Sequence, residues 1–117
     1  MANKRDLKKY VRTMCGALAG ECVLSSEFVD GVDRKKMDEA LLDAADLQGA
    51  SLEVITFYFD KSRREFDSPR AYKKARRAYF KHGYAKFAKE FEQHVGDILK
   101  KMNSAIPEEA RAEAKKG

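Results

Sequence analysis

Apolar positions recur with a helical period along most of this chain. Scored at about 100° of rotation per residue, Leu7, Tyr10, Val11, Met14, Leu18, Cys22, Phe28 and Val29 fall on one stripe. Asn3 stands where an N-cap belongs, with Asp6 three positions on as in a capping box, and Gly31 closes the helix. Gly16 and Gly20 lie on the opposite side, near Ala19 and Val23. In a helix outside a membrane such a pair marks a second close backbone neighbour or is simply tolerated, at a cost of about 1 kcal/mol per Gly. Asp33 caps a second helix, in which Met37, Leu41, Ala44, Gln48, Leu52, Ile55, Phe59 and Phe66 stay in phase across Gly49. The spacing therefore predicts one long helix from about 34 to 65. A strand at Leu52–Phe59 is the competing reading, since β-branched and aromatic residues crowd there. It is set aside because the helical stripe enters and leaves that stretch unbroken. Leu47, Val54, Phe57 and Tyr58 widen the apolar arc, which implies burial on two sides or a contact with another copy.

Ser68-Pro69 is the clearest punctuation, an N-cap followed by Pro at the first helical position. Tyr72, Ala75 and Tyr79 form the inward face of the third helix. Past Gly83 the stripe becomes Tyr84, Phe87, Phe91, Val95, Ile98 and Met102, rotated by more than a third of a turn. One straight helix cannot bury both stripes against the same neighbour. Either the chain breaks or bends at Lys81-His82-Gly83, or the helix changes partners partway. The last stripe ends near Asn103, and residues 104–117 are Ala- and charge-rich with Pro107 at a helix start. The predicted architecture is all-α, an up-and-down bundle of three to four helices over residues 1–103, with a short helical or frayed tail at 104–117.

Composition agrees with that pattern. The 117 residues suit a single domain, and 16 Ala stand against only nine Ile and Val together. No apolar run approaches the length of a membrane span, and the nearest thing to a signal core, Gly16 to Leu24, is interrupted by Glu21. A cytoplasmic location is expected, with no membrane partner. Cys15 and Cys22 lie about 10 Å apart along one helix, too far to bridge each other, and read as reduced core residues. No CxxC or second Cys/His pair completes a metal site.

Charge changes the picture more. Residues 1–60 carry 8 basic and 11 acidic side chains, whereas residues 61–117 carry 16 and 8, so the formal +5 joins an acidic half to a strongly basic one. The extreme is Lys61 to Lys89, with 11 basic residues against Glu65 and Asp67. Arg70, Lys73, Lys74, Arg77 and Lys81 share one face of the third helix, and Lys61, Arg63 and Arg64 lie just upstream. The second helix carries Glu39, Asp43, Asp46, Glu53 and Asp60 along one side. The basic face has three readings: a solvated surface, a nucleic-acid-binding surface, or the complement of the acidic face, within the bundle or between copies. Ten of the twelve aromatics lie between Phe57 and Phe91, although helical phase points most of them inward. No helix-turn-helix, RNP or zinc-finger pattern is present.

Catalytic chemistry finds little support. His82 and His94 are the only imidazoles, and Glu90 and His94 lack the further inward carboxylates of a di-metal bundle. Glu21 falls within the first apolar stripe, where it either meets a partner or reaches solvent at the stripe edge. No phosphate loop, nucleophile elbow or HExxH occurs. Neither an enzyme nor a cofactor is expected.

The opening Asn3-Lys4-Arg5-Asp6-Leu7-Lys8-Lys9, with Cys15 and Glu21-Cys22 behind it, resembles a family of small helical bacterial proteins of the Bacteroides type. The resemblance covers about the first 25 residues. It implies a small cytoplasmic helical protein of unknown function, with no functional residues to carry over.

The leading expectation is thus a non-catalytic bundle acting through protein–protein contact or self-association, the latter through Leu47, Val54, Phe57 and Tyr58. The alternative is nucleic-acid binding by the face of Lys61, Arg63, Arg64, Arg70, Lys73, Lys74, Arg77 and Lys81. Pairing of the second helix's carboxylates with most of these cations would exclude the alternative.

Overall fold

The computed structural model describes residues 3–55, 58–108 and 110. Three helices account for most of them: α1 over Lys4–Phe28, α2 over Arg34–Val54 and α3 over Pro69–Ala105, with a single 3-10 turn at Arg63–Glu65. No strand occurs among the described residues. Each helix starts at a side-chain cap. Asn3 Oδ1 accepts from the Asp6 N–H at 2.8 Å, Asp33 Oδ1 from the Lys36 N–H at 3.1 Å, and Ser68 Oγ from the Ala71 N–H at 3.1 Å. Such a bond satisfies one of the donors a helix leaves open at its start and contributes about 1 kcal/mol. The turn into α2 is fastened twice. Gly31 takes the left-handed φ of 77° there, and the Asp33 N–H donates to the Ala105 carbonyl at 2.8 Å.

Two stacked clusters hold the helices together. Leu18 and Cys22 of α1 meet Met37, Ala40 and Ala44 of α2 and Ile98, Met102 and Ala105 of α3. Farther along, Leu7, Val11 and Cys15 meet Ile55, Phe87 and Phe91, with Tyr10 edge-on to Phe91 at 5.6 Å between ring centres. The late residues of α1 thus meet the early residues of α2 and the late residues of α3, so α2 runs back along α1 and α3 runs alongside it. These stripes follow the predicted ones in α1, in the first part of α2 and in α3 beyond Gly83. Phe28 is the exception, standing exposed at the end of α1. Gly16 and Gly20 have no neighbour within 4 Å of where a Cβ would stand, so that pair is tolerated rather than packed.

The second helix is shorter than predicted. It ends at Val54, with Ile55 as its cap, not near 65. Residues 54–59 are all β-branched or aromatic, which lose side-chain freedom in a helix. Ile55 is fully buried, and beyond it the chain folds back onto α3. Phe59 stacks on Phe66 at 6.1 Å and meets Tyr72 at 5.7 Å and Tyr79 at 5.6 Å. In a continuous helix Phe59 and Phe66 would stand about 10 Å apart along the axis.

The third helix does not break at Lys81-His82-Gly83. It runs 37 residues without interruption, about 55 Å at helical rise, and changes partners on the way. Tyr72 and Tyr79 lie on the Phe59–Phe66 link, and the face beyond Phe87 lies on α1 and α2. At its far end the fold runs slightly past residue 103: Ala105 is buried, and Ile106 packs on the first cluster. Because α3 is so much longer than its neighbours, its first turns overhang the start of α1.

Candidate functional site

At that overhang a groove of about 1180 Å³ opens between the start of α1, the 3-10 turn and the first half of α3. Three segments build it, one from the opening of the sequence and two from its middle. The start of α1 supplies Asn3, Lys4 and Arg5; the 3-10 turn supplies Arg63; and α3 supplies Tyr72, Lys73, Arg76, Arg77, Phe80, Lys81 and Tyr84. Seven of these side chains are cationic, and none of the described residues lining the groove is a carboxylate.

Helical phase explains why cations and rings meet here. Carried backward from Phe87, the core stripe of α3 passes through Tyr84 and Phe80, then Arg77, Arg76 and Lys73. Where α1 runs alongside, those positions are apolar. Beyond the start of α1 the same face is cationic. Phe80 sits at the changeover, half-buried, with the Arg76 guanidinium 5.0 Å and the Lys4 ammonium 6.0 Å from its ring centre. Arg63 holds the same relation to Tyr72 at 5.6 Å. The 3-10 turn that presents Arg63 is fixed by a capping box, in which the Ser62 N–H donates to Glu65 Oε2 at 2.9 Å. Cation–ring contacts of this kind contribute about 0.5–1 kcal/mol at exposed positions and partly offset the repulsion of seven like charges.

Of the basic residues singled out in the sequence, Arg63, Lys73, Arg77 and Lys81 line the groove. Lys61, Arg64, Arg70 and Lys74 are exposed but lie outside its lining. The sequence reading missed Lys4 and Arg5, which the fold brings in from the other end of the chain, and Arg76. The signal for Arg76 was available: it lies on the backward continuation of the Phe87 stripe.

On the acidic side of α2, Asp43 pairs with a cation outside the basic face. Its partner is Lys101, near the far end of α3. That contact, with the nearby charge of Glu39, holds the Lys101 ammonium above its usual range. Asp43 and Asp46 line a smaller groove of about 410 Å³ with His94, Asp97 and Lys101, away from the cations of the overhang. No cluster of the described residues could hold a metal ion. His82, His94 and Glu21 are exposed, the last at the stripe edge. Cys15 and Cys22 are free and buried; burial raises both thiols, and the neighbouring Glu21 charge raises Cys22 further.

The residues considered for self-association divide. Leu47 is half-buried and packs against both core clusters, whereas Val54 and Tyr58 are 57% and 70% exposed. Phe57 lies outside the described residues. No described helix is long and apolar enough to cross a membrane.

Compared with known proteins, the chain matches no family model, no curated protein and no solved structure.

Proposed function

We propose that this chain is a non-catalytic nucleic-acid-binding protein, in which an up-and-down bundle of three helices serves as the scaffold for the basic groove. The observation that carries the reading is the groove's charge: seven cations from three separate segments, with no carboxylate among the described residues lining it. A merely solvated surface intersperses both signs. Here the cations converge on a concavity, which focuses positive potential and draws in polyanions. Phosphates that replace counterions in such a groove give binding that falls steeply with salt. Self-association is favoured less by the geometry, because Leu47 is engaged in internal packing, which leaves Val54 and Tyr58 as the exposed members of the set among the described residues.

Fluorescence anisotropy with short DNA and RNA tests the reading. Binding is expected at low salt, weakening by about a thousandfold between roughly 50 and 200 mM if most of the seven cations meet phosphates. The double substitution Arg76→Glu/Arg77→Glu should abolish it without unfolding the chain, since both side chains are exposed. Absence of binding to any nucleic acid at low salt would end the proposal.

A further inference from the structure

We infer that the groove takes single-stranded nucleic acid without preference among the bases other than guanine, with the Phe80 ring as a stacking platform, an inference that rests on the nucleic-acid reading above. Three observations lead to it. The first is size. The molecule measures 65 × 26 × 17 Å, and the groove is cut into that narrow rod. A B-form duplex, with a persistence length of about 50 nm, resists bending into a concavity this short. A single strand does not.

The second is chemical repertoire. Residues 70–89 contain no Asn, Gln, Ser, Thr, Asp or Glu. Reading adenine or cytosine edges uses amide or carboxylate side chains, and α3 offers none along this stretch. The one amide in the groove, Asn3, already accepts the Asp6 N–H as a helix cap. What remains is Arg and Lys: they can contact guanine O6 and N7, but toward the other bases they offer only phosphate contact, which fixes position and carries no sequence information.

The third is the floor. Phe80 is half-buried, so its ring is held in place, and it carries cations at 5.0 and 6.0 Å. A base from a single strand can stack on this ring, or on the guanidinium that covers it, while Arg76 and Lys4 turn to the flanking phosphates. A duplex keeps its base faces inside its own stack and has nothing to offer the ring.

The experiment compares the full chain against a labelled single strand of about 20 nucleotides, the corresponding duplex and inorganic polyphosphate, all at low salt. Guanine-free single strands of different sequence should bind within about threefold of one another and at least tenfold more tightly than the duplex. Phe80→Leu keeps an apolar side chain but removes the π face. It should weaken the single strand about five- to a hundredfold and leave polyphosphate within about twofold. The unmodified protein supplies a second readout that does not depend on the variant's folding. The chain has no Trp, so its tyrosine emission is visible; single strands should quench it through Tyr72 and Tyr84, and polyphosphate should not. Equal or tighter duplex binding, or an unchanged single-strand affinity in a folded Phe80→Leu, overturns the inference. If none of the three ligands binds, the underlying nucleic-acid reading fails instead.

Discussion

Gly31 and Gly20 have opposite reasons for being glycine. At Gly31 the backbone takes a φ of 77°, and an added Cβ would stand 3.1 Å from Pro107 Cγ. Both strain and crowding oppose a side chain there, and the turn is the one tied to α3 through Ala105. Gly31→Ala should cost about 1–2 kcal/mol and lower the melting temperature by roughly 5–15 °C. Gly20 lies exposed in the middle of α1 with open space around it. Gly20→Ala should therefore stabilise by up to about 1 kcal/mol. Thermal melts followed by circular dichroism check both signs; stabilisation at 31, or loss at 20, would contradict this account of the two positions. At this scale the sequence was most legible. The caps at Asn3, Asp33 and Ser68 and the helix stop before Gly31 depend on chemistry within three or four residues, which the chain displays directly.

Among the elements, α2 and α3 show where periodicity stops being informative. Phe59 and Phe66 sit in helical phase with α2, yet they belong to a chain that has folded back onto Tyr72 and Tyr79. A periodic pattern records which residues face an apolar neighbour; it does not record whether the backbone between them stays helical. The rotated stripes of α3 posed the inverse problem. A change of phase looks the same whether the helix bends or its partners change, and here they change. Continuity through Gly83 gives a direct test. Gly83→Ala should raise stability by up to about 1 kcal/mol, since nothing stands within 4 Å of the new Cβ. Gly83→Pro should cost about 3 kcal/mol or more by removing a hydrogen bond from the middle of the helix. Tolerance of the proline would mean that the chain is not helical there. The groove was half legible for a related reason. The α3 and Arg63 cations are visible as a run, whereas Lys4 and Arg5 join them only through packing of the α1 start beside Phe80.

The whole molecule is a rod with a cationic groove toward one end. Its radius of gyration is 19.5 Å, against about 13 Å for a globule of this length, because α3 outruns its neighbours. The overhang is where seven cations gather in a groove with no carboxylate among the described residues lining it. Beyond the cation–ring contacts, their mutual repulsion is relieved by screening salt or by a bound polyanion, and these two oppose each other. Salt alone should raise the melting temperature modestly by shielding the groove. A single strand at about a hundred times its Kd should stabilise the folded state by roughly 2.7 kcal/mol, or about 10–20 °C. That gain should shrink as salt rises, since counterions then compete for the same sites. Arg76→Glu/Arg77→Glu should remove both effects together, for they arise from the same charges. Differential scanning fluorimetry over a grid of salt and oligonucleotide separates the cases. A ligand-induced shift that survives high salt, or persists in the double variant, would place the binding surface somewhere other than this end of the rod.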